Sequence, residues 1–263
     1  MKTLVETILS RELHDPKVVI YNWLDEYGIK NYTVNDKGEI DVDGDVNLMR
    51  KGLKEFPQFI QFGVVKGFFN CAFNHLTSLK GSPKEVGGGF LCFNNKLTSL
   101  KGAPIEVGEE FACYKNKLTS LEGSPRKIGR NFDCSNNELT TLKESPKEVG
   151  GSFNCQGNDL TTLEESPRKV EGSFNCSRNN LTSLEGAPGE VGEEFACYKN
   201  KLTSLEGSPR KVGGHFDCSD NNLKDLKGAP DKIGGDFYCD GNSTQFTEDD
   251  VKKVCKVRGK IFV

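Results

Sequence analysis

Ten cysteines are the residues best suited to chemistry in this sequence of 263 residues. Their thiols could form disulfides, bind a metal ion or act as nucleophiles. Nine of them recur every 21 residues from Cys71 to Cys239, and only Cys255 lies outside the series. A disulfide framework has no reason to be so regular, whereas a structural repeat does. We therefore interpret the series as small apolar core residues in a reducing compartment, and we expect no metal or other cofactor.

A second group of potentially catalytic residues lies near the C-terminal end. It combines carboxylates with one histidine and one tyrosine: Asp217, Asp220, Asp236, Asp240, His215 and Tyr238. Such carboxylates could bind Ca²⁺ or act as a general acid and base. Charged residues of this kind more often form a solvated surface. We therefore predict no catalytic residue and no enzymatic activity.

Composition and charge narrow the classes of partner. The hydrophobic fraction is 35%, and the formal net charge is −3 with a pI near 5.8. A protein that follows a phosphate backbone usually carries a basic patch, so we expect no nucleic-acid partner. No apolar segment approaches the ~18 residues that span a bilayer. Glu6, Arg11 and Glu12 interrupt the apolar core that a secretory signal would need, so we expect a cytoplasmic protein without membrane contact.

The cysteines belong to a repeat that runs through most of the chain. Its consensus is F-x-C-x-x-N-x-L-T-S-L-x-G-x-P-x-x-V-G-x-x. The alternating F-x-C predicts a short strand with Phe and Cys on one face. The Asn amide is expected to satisfy backbone groups of neighbouring coils. Gly and Pro then punctuate an outer arc that is too short for a full helix.

This unit resembles the leucine-rich repeat, L-x-x-L-x-L-x-x-[N/C]-x-L, with Phe and Cys at strand positions. Its outer arc, L-x-x-L-x-x-x-P, is most similar to the short subtype of secreted enterobacterial effectors. The sequence pattern LTSLEGAP–EVGG–F–C resembles uncharacterised repeat proteins of tailed bacteriophages. The resemblance covers residues 65–247. It implies a mostly β fold, a leucine-rich-repeat solenoid with one strand in each coil, and a recognition scaffold. Strand stacking predicts a gently curved rod with a ladder about 40 Å long.

The two ends are expected to cap the apolar edges of the solenoid. We divide the chain into a small α/β N-terminal cap (1–64), the solenoid (65–246) and a short helix–strand C-terminal cap (247–263). In the C-terminal cap, Thr247 is expected to begin a helix with the sequence EDDVKKVCKV, and GKIFV to add a last strand. That helix would direct Cys255 towards the core.

The N-terminal cap shows signals for helices and a hairpin. A T-x-x-E capping box at Thr3 predicts a first helix. Asp15 and Pro16 have the residue types of the start of a second helix, and Gly28 would end it. The segment YTVNDKGEIDV predicts a hairpin that turns about Asn35–Gly38.

Side chains that flank Phe and Cys should point away from the core and tile one face of the strands. We predict that this strand face binds a partner through Phe93, Tyr114, Lys115, Tyr198, Lys199, His215, Asp217, Asp236, Tyr238 and Asp240. Exposed clusters of aromatic residues often mark partner sites. The alternative is that the N-terminal cap covers the aromatic residues Phe68, Phe73 and Phe93.

Residues 106–127 and 190–211 are identical, and both read EVGEEFACYKNKLTSLEGSPRK. Their offset equals four repeats, which indicates duplication of a block of coils. A solenoid tolerates this because each coil contacts only its neighbours, whereas an active site built from distant residues would be separated or doubled. The duplication therefore favours an extended surface, on which Tyr114/Lys115 and Tyr198/Lys199 form a matched pair roughly 20 Å apart.

These observations predict a non-enzymatic scaffold for protein–protein interaction, either a monomer or a weak homo-oligomer. The bacteriophage resemblance implies a viral protein that binds a host factor in defence or takeover. One alternative is a carbohydrate-binding or carbohydrate-cleaving solenoid, with Tyr114, Tyr198 and Tyr238 as stacking platforms and Asp236 and Asp240 for chemistry. The other alternative is a structural component of a virion.

Overall fold

In the computed structural model, which describes residues 16–263, the repeats stack as coils of a parallel solenoid. The fold predicted from the 21-residue repeat is confirmed. Each coil contains a second short strand in addition to the predicted one, because the residue pair that ends in the conserved Val or Ile also joins a sheet. The solenoid therefore has two long sheets on different sides of one core.

The sheet formed by the predicted strands is called the phenylalanine sheet. Its neighbouring strands are parallel and in register, so that equivalent residues of successive coils lie side by side. Its strands are Val46–Asn47, Phe69–Asn70, Phe90–Leu91, Phe111–Ala112, Phe132–Asp133, Phe153–Asn154, Phe174–Asn175, Phe195–Ala196, Phe216–Asp217, Phe237–Tyr238 and Ile261–Phe262.

The second sheet is called the valine sheet. Its strands in the repeats have an exposed first residue and a buried second one. Its strands are Tyr32–Val34, Glu39–Val42, Gln61–Val65, Glu85–Val86, Glu106–Val107, Lys127–Ile128, Glu148–Val149, Lys169–Val170, Glu190–Val191, Lys211–Val212, Lys232–Ile233 and Lys256–Val257. The first two strands are antiparallel, and the remaining neighbours are parallel.

The core consists of columns that repeat from coil to coil. Every Phe of the repeat is fully buried, and consecutive ring centroids from Phe69 to Phe237 lie 5.3–5.6 Å apart. The Cys and Leu columns are buried beside them. In-register parallel stacking places each aromatic ring against its own equivalent in the next coil, which explains why the sequence keeps one residue type in each column.

The Asn column hydrogen-bonds each coil to the previous one, as the sequence predicts. The side-chain amide of Asn116 donates to the carbonyl oxygens of Cys92 and Cys113, at 3.1 and 2.9 Å. Its side-chain oxygen accepts from the Leu97 amide at 3.0 Å. One buried side chain thus satisfies three backbone groups that would otherwise be unpaired where the chain leaves the strand.

The N-terminal segment shows the predicted elements where it is described. Helix α1 covers Pro16–Glu26, and Gly28 follows it with a φ of 68°. The hairpin turn is confirmed, since the Gly38 amide donates to the Asn35 carbonyl oxygen at 3.0 Å. The predictions for Thr3 and Asp15 concern residues outside the described part of the chain. The division into two caps and a solenoid stays a prediction, although the parallel pairing already includes Glu39–Val42.

The C-terminal helix differs from its prediction in length. Helix α2 covers Glu248–Val254, and Thr247 and Asp250 form the capping box at its start. The predicted continuation through Cys255 is wrong, because Lys256–Val257 pair with Lys232–Ile233 at the end of the valine sheet. Cys255 has an extended conformation and is nevertheless buried. Closing the sheet edge thus takes precedence over the local helical pattern.

Candidate binding face on the phenylalanine sheet

The outward side of the phenylalanine sheet is called the strand face. The sequence left open whether the N-terminal cap covers its first aromatic residues. Phe68 is 40% exposed and Phe73 is 38% exposed, while Phe93 is half-buried. The described part of the N-terminal segment therefore does not cover the first two rings. Residues of this size are seldom exposed without a partner site when they cluster.

Aromatic side chains form a continuous row on the N-terminal coils of the strand face. The rings of Phe73 and Phe93 meet edge to face with centroids 5.3 Å apart, and those of Phe93 and Tyr114 stack at 4.4 Å. The Arg50 guanidinium lies 4.7 Å from the centre of the Phe73 ring. This row of Arg50, Phe73, Phe93 and Tyr114 is called the aromatic row. Burial raises the pKa of Tyr114, and the nearby Asp133 charge adds to this effect.

Lys115 and Lys199 lie at the turn that follows each strand. Their φ angles are 53° and 55°, in the left-handed region that turns the backbone away from the sheet. The ammonium group of Lys199 lies 3.9 Å from the Asp220 carboxylate. Arg178, which occupies the same turn position one coil earlier, lies 5.9 Å from the centre of the Tyr198 ring. The cationic groups of this turn column therefore follow one edge of the strand face.

At the C-terminal end, the structure brings His215, Asp236 and Tyr238 together. The Asp236 amide donates to His215 Nδ1 at 3.0 Å, and the Tyr238 hydroxyl donates to the Asp236 carboxylate at 3.2 Å. The Lys260 amide donates to the same carboxylate at 2.7 Å, which is the main reason that the pKa of Asp236 is lowered. The Tyr238 ring stacks on Phe262 at 4.7 Å.

The other predicted acidic residues do not join this cluster. The Asp217 carboxylate accepts hydrogen bonds from the Ser219 amide and hydroxyl, at 3.0 and 2.6 Å. Asp240 is exposed at the start of the following turn. Within residues 16–263, no three His, Cys, Asp or Glu side chains converge in a way that could hold a metal ion. The Asp217 carboxylate thus serves its own local hydrogen bonds.

The thiols lie behind the strand face and not on it. Burial raises the pKa of the Cys71 thiol to about 12, and it raises the pKa of Cys113 and Cys197 well above the usual value. Several thiols contact a carbonyl oxygen of the next coil, as Cys134 does with Asn154 at 3.4 Å. A thiol that is protonated and shielded from solvent is a poor nucleophile and a poor metal ligand.

Sequence reasoning missed three contributors to the face: Arg50, Arg178 and Phe262. Arg50 and Arg178 occupy the turn column two residues after the position equivalent to Cys, and a search for cations at this distance from each Cys of the repeat would have found Arg178. Phe262 follows the last repeat, and only its strand pairing beside Phe237–Tyr238 brings it to Tyr238. Arg50 and Phe262 extend the face at its two ends, and Arg178 lies between them.

Comparisons with known proteins find few similarities to this chain. No protein-family model matches the chain, and no curated protein matches it in sequence. Among solved structures, YopM from Yersinia enterocolitica WA-314 is similar, with 20% identity and a TM-score of 0.41. The similarity covers 72% of this chain and 52% of that chain, so the chain spans about half the length of YopM.

The coils themselves define the class of protein. They have 21 residues, buried Phe, Cys and Leu columns and a buried Asn column, which together make a solenoid of the leucine-rich-repeat type. No helix within the described residues is long and apolar enough to cross a bilayer.

Proposed function

We propose that this protein is a non-enzymatic scaffold that binds another protein through the strand face. The aromatic row is the observation that carries the proposal, because it presents contiguous and partly accessible rings on the N-terminal coils of the strand face. Aromatic residues are enriched at the centre of protein interfaces, where they supply a large contact area at low entropic cost.

The charges beside the aromatic row indicate the chemistry of the partner. Arg50 and Lys115 lie in the same turn column, at the two ends of the row, and both are exposed. An apolar segment flanked by carboxylates would place its side chains against Phe73 and Phe93 and its charges near these cations. The repeated Tyr198/Lys199 pair offers a second, weaker contact, which suits a partner with repeated features.

We further propose that the protein is encoded by a bacteriophage and binds a host protein in the cytoplasm. The resemblance of the repeat sequence alone supports this origin and target, so the experiment must identify the partner directly.

The test begins with capture of a partner from a host lysate by the tagged full chain, followed by calorimetry with the purified partner. The double substitution Phe73→Ala/Phe93→Ala should weaken binding at least tenfold, because it removes the centre of the aromatic row. Ile105→Ala is the matched control, since Ile105 is 57% exposed and lies outside the phenylalanine sheet. Its affinity should equal that of the wild-type protein.

The duplicated pairs are tested in the same way. Tyr114→Ala/Lys115→Ala, Tyr198→Ala/Lys199→Ala and the combination of both are compared with the wild-type protein. We expect the first pair to lower the affinity more than the second, because Tyr114 belongs to the aromatic row. Unchanged affinity in all of these variants and in the Phe73/Phe93 variant would contradict the proposal. Glycan binding that is lost in Asp236→Asn would support the carbohydrate alternative instead.

A further inference from the structure

The outward side of the valine sheet carries one charged residue in each of the eight successive strands of the repeats, and Lys256 of the C-terminal segment continues the series. Each of the eight residues in the repeats is exposed, and the Val or Ile that follows it is buried. These eight residues, called the charged column, are Glu85, Glu106, Lys127, Glu148, Lys169, Glu190, Lys211 and Lys232. Among the ion pairs of the described residues, only the one between Lys169 and Glu171, at 3.1 Å, involves the column. Its other charges are available to a partner.

The order of signs in the charged column has a symmetry of its own. Read from the N-terminal end, the signs are two negative, then positive, negative, positive, negative, and two positive. Read from the C-terminal end, every sign is reversed. A two-fold axis parallel to the strands, placed between Glu148 and Lys169, would therefore set each charge opposite its complement in a second copy of the chain.

That axis would place Glu85 opposite Lys232 of the second copy and Glu106 opposite Lys211. Lys127 would face Glu190, and Glu148 would face Lys169. Moving the axis by half a coil towards the N-terminus sets Glu106 against Glu190, and the opposite move sets Lys127 against Lys211. Only one register thus pairs all eight positions with opposite charges.

The surface beside the charged column is shaped for close approach. Glycines such as Gly108 and Gly129 form the floor of two shallow grooves with volumes of about 450 and 790 Å³. A Cβ atom added at Gly108 would collide with the carbonyl oxygen of Gly87. The coils are therefore closely stacked here, and the floor stays flat. Eight strands extend over roughly 34 Å, a length that suits an interface of standard size.

We propose that the valine sheet is the interface of a symmetric dimer in which two copies lie antiparallel and face to face across the charged column. A two-fold interface uses the same patch on both copies, so a patch whose charges are complementary to its own reverse meets this requirement. Complementary charges set the orientation and register of association and make it sensitive to salt. The strand face lies on the other sheet and stays open in both copies, so this proposal is independent of the proposed function.

The test uses sedimentation of the full chain at low and high salt, about 0.05 M and about 0.5 M. We expect a dimer at low salt and a dissociation constant at least tenfold larger at high salt. The variants Glu85→Lys/Glu106→Lys and Lys211→Glu/Lys232→Glu should each be monomeric, because each sets like charges opposite one another. An equimolar mixture of the two should form a heterodimer, and a single chain that carries all four substitutions should dimerise again.

Glu138→Lys/Glu164→Lys is the matched control for Glu85→Lys/Glu106→Lys, since it makes the same change in net charge at exposed positions outside the charged column. It should dimerise as the wild-type protein does, and circular dichroism should show that all the variants remain folded. A wild-type protein that stays monomeric at about 100 μM and low salt overturns the proposal. So does a charge-reversed variant that dimerises normally, or a mixture that fails to associate.

Discussion

The identical segments 106–127 and 190–211 have the same interior but different surroundings. Phe111 and Phe195 are both fully buried between the rings of neighbouring coils, with centroid distances of 5.4–5.6 Å. Asn116 and Asn200 make equivalent hydrogen bonds to the Cys carbonyl oxygens of two coils. The core of a coil is thus determined by the repeat itself and can be copied to a new place.

On the surface, the same residues differ because the adjacent coils differ. Tyr114 stacks on Phe93 at 4.4 Å, whereas Tyr198 has the Arg178 guanidinium 5.9 Å from its ring. Lys199 lies near Asp220, while the equivalent neighbour of Lys115 is Asn136. Duplication thus keeps the core contacts and changes the surface contacts, since each exposed side chain contacts the adjacent coils.

The largest expected effect concerns a property that both segments share, the buried thiols. Burial raises the pKa of Cys113 and Cys197 well above the usual 9.0. Above that pH the unfolded chain loses thiol protons that the folded chain keeps, so stability falls by about 1.4 kcal/mol per thiol and pH unit. With ten buried thiols, we expect cooperative unfolding between about pH 9 and 11 in reducing buffer, measured by circular dichroism.

Single substitutions make this prediction specific. Cys113→Ala and Cys197→Ala should each reduce the pH dependence by the contribution of one thiol, and the two reductions should be equal. The quantity compared between each variant and the wild-type protein is the change in its own free energy of unfolding from neutral to alkaline pH. Native circular dichroism that persists beyond about pH 11 would contradict the role of the thiols.

The second effect tests the equality of the two interiors. Phe111→Ala and Phe195→Ala should each lower the free energy of unfolding by about 3–5 kcal/mol, because each leaves a cavity between two stacked rings. Chemical denaturation measures both values. A difference of more than about 1 kcal/mol would show that distant coils affect the core, contrary to the nearest-neighbour behaviour expected of a solenoid.

The third effect contrasts the duplicated segments with the coils between them. Gly123 and Gly207 have φ angles of 85° and 87°, but Glu144 and Glu165 occupy the same column with φ angles of 65° and 67°. A left-handed conformation costs a residue with a side chain about 1–2 kcal/mol. Glu144→Gly and Glu165→Gly should therefore stabilise the protein by about 0.5–1 kcal/mol, after the loss of two exposed contacts: the Glu165 carboxylate with Lys147, and the Glu144 carboxylate with the Gly123 amide that donates to it at 3.3 Å.

The reverse substitutions provide the control. A Cβ atom at Gly123 would lie 2.6 Å from the backbone nitrogen of Lys101. Gly123→Ala and Gly207→Ala should therefore destabilise by about 1–3 kcal/mol in denaturation experiments. If the glutamate-to-glycine variants were less stable than the wild-type protein, the glutamates would have to make contacts that outweigh their backbone strain.

The contrast between the interior and the surface also explains what the sequence could predict. The Phe, Cys, Leu and Asn columns determine the period, the strand and the coil stacking, because each acts on its own equivalent in the next coil. The strand at Glu85–Val86 was missed, since one charged and one apolar residue are too few to show the alternation of a strand. The helix that ends at Val254 was overestimated because the pairing of Lys256–Val257 depends on distant residues.

On the strand face, the repeat period fixes a contact where neighbours in the stack are also neighbours in the repeat. Phe93 and Tyr114 occupy the same column in successive coils, so their contact follows from the period. The Arg50 contact could not be derived in this way, since Arg50 precedes the first Cys of the series and its place in the turn column appears only in three dimensions. The binding role of all these residues remains a prediction.

The smallest effect separates the two segments most directly. In a double-mutant cycle, Phe93→Ala with Tyr114→Ala should give a coupling energy of about 0.5–1.5 kcal/mol, as expected for a stacked aromatic pair. The matched cycle of Arg178→Ala with Tyr198→Ala should give about 0.5 kcal/mol or less, because the cation lies 5.9 Å from the ring centre, at the outer limit of contact. A third cycle, Phe93→Ala with Tyr198→Ala, should give no coupling, since these residues are several coils apart. Equal coupling energies in the first two cycles would contradict the proposed difference between the two tyrosines. The surface contacts of the duplicated segment would then depend as little on the adjacent coils as its core contacts do.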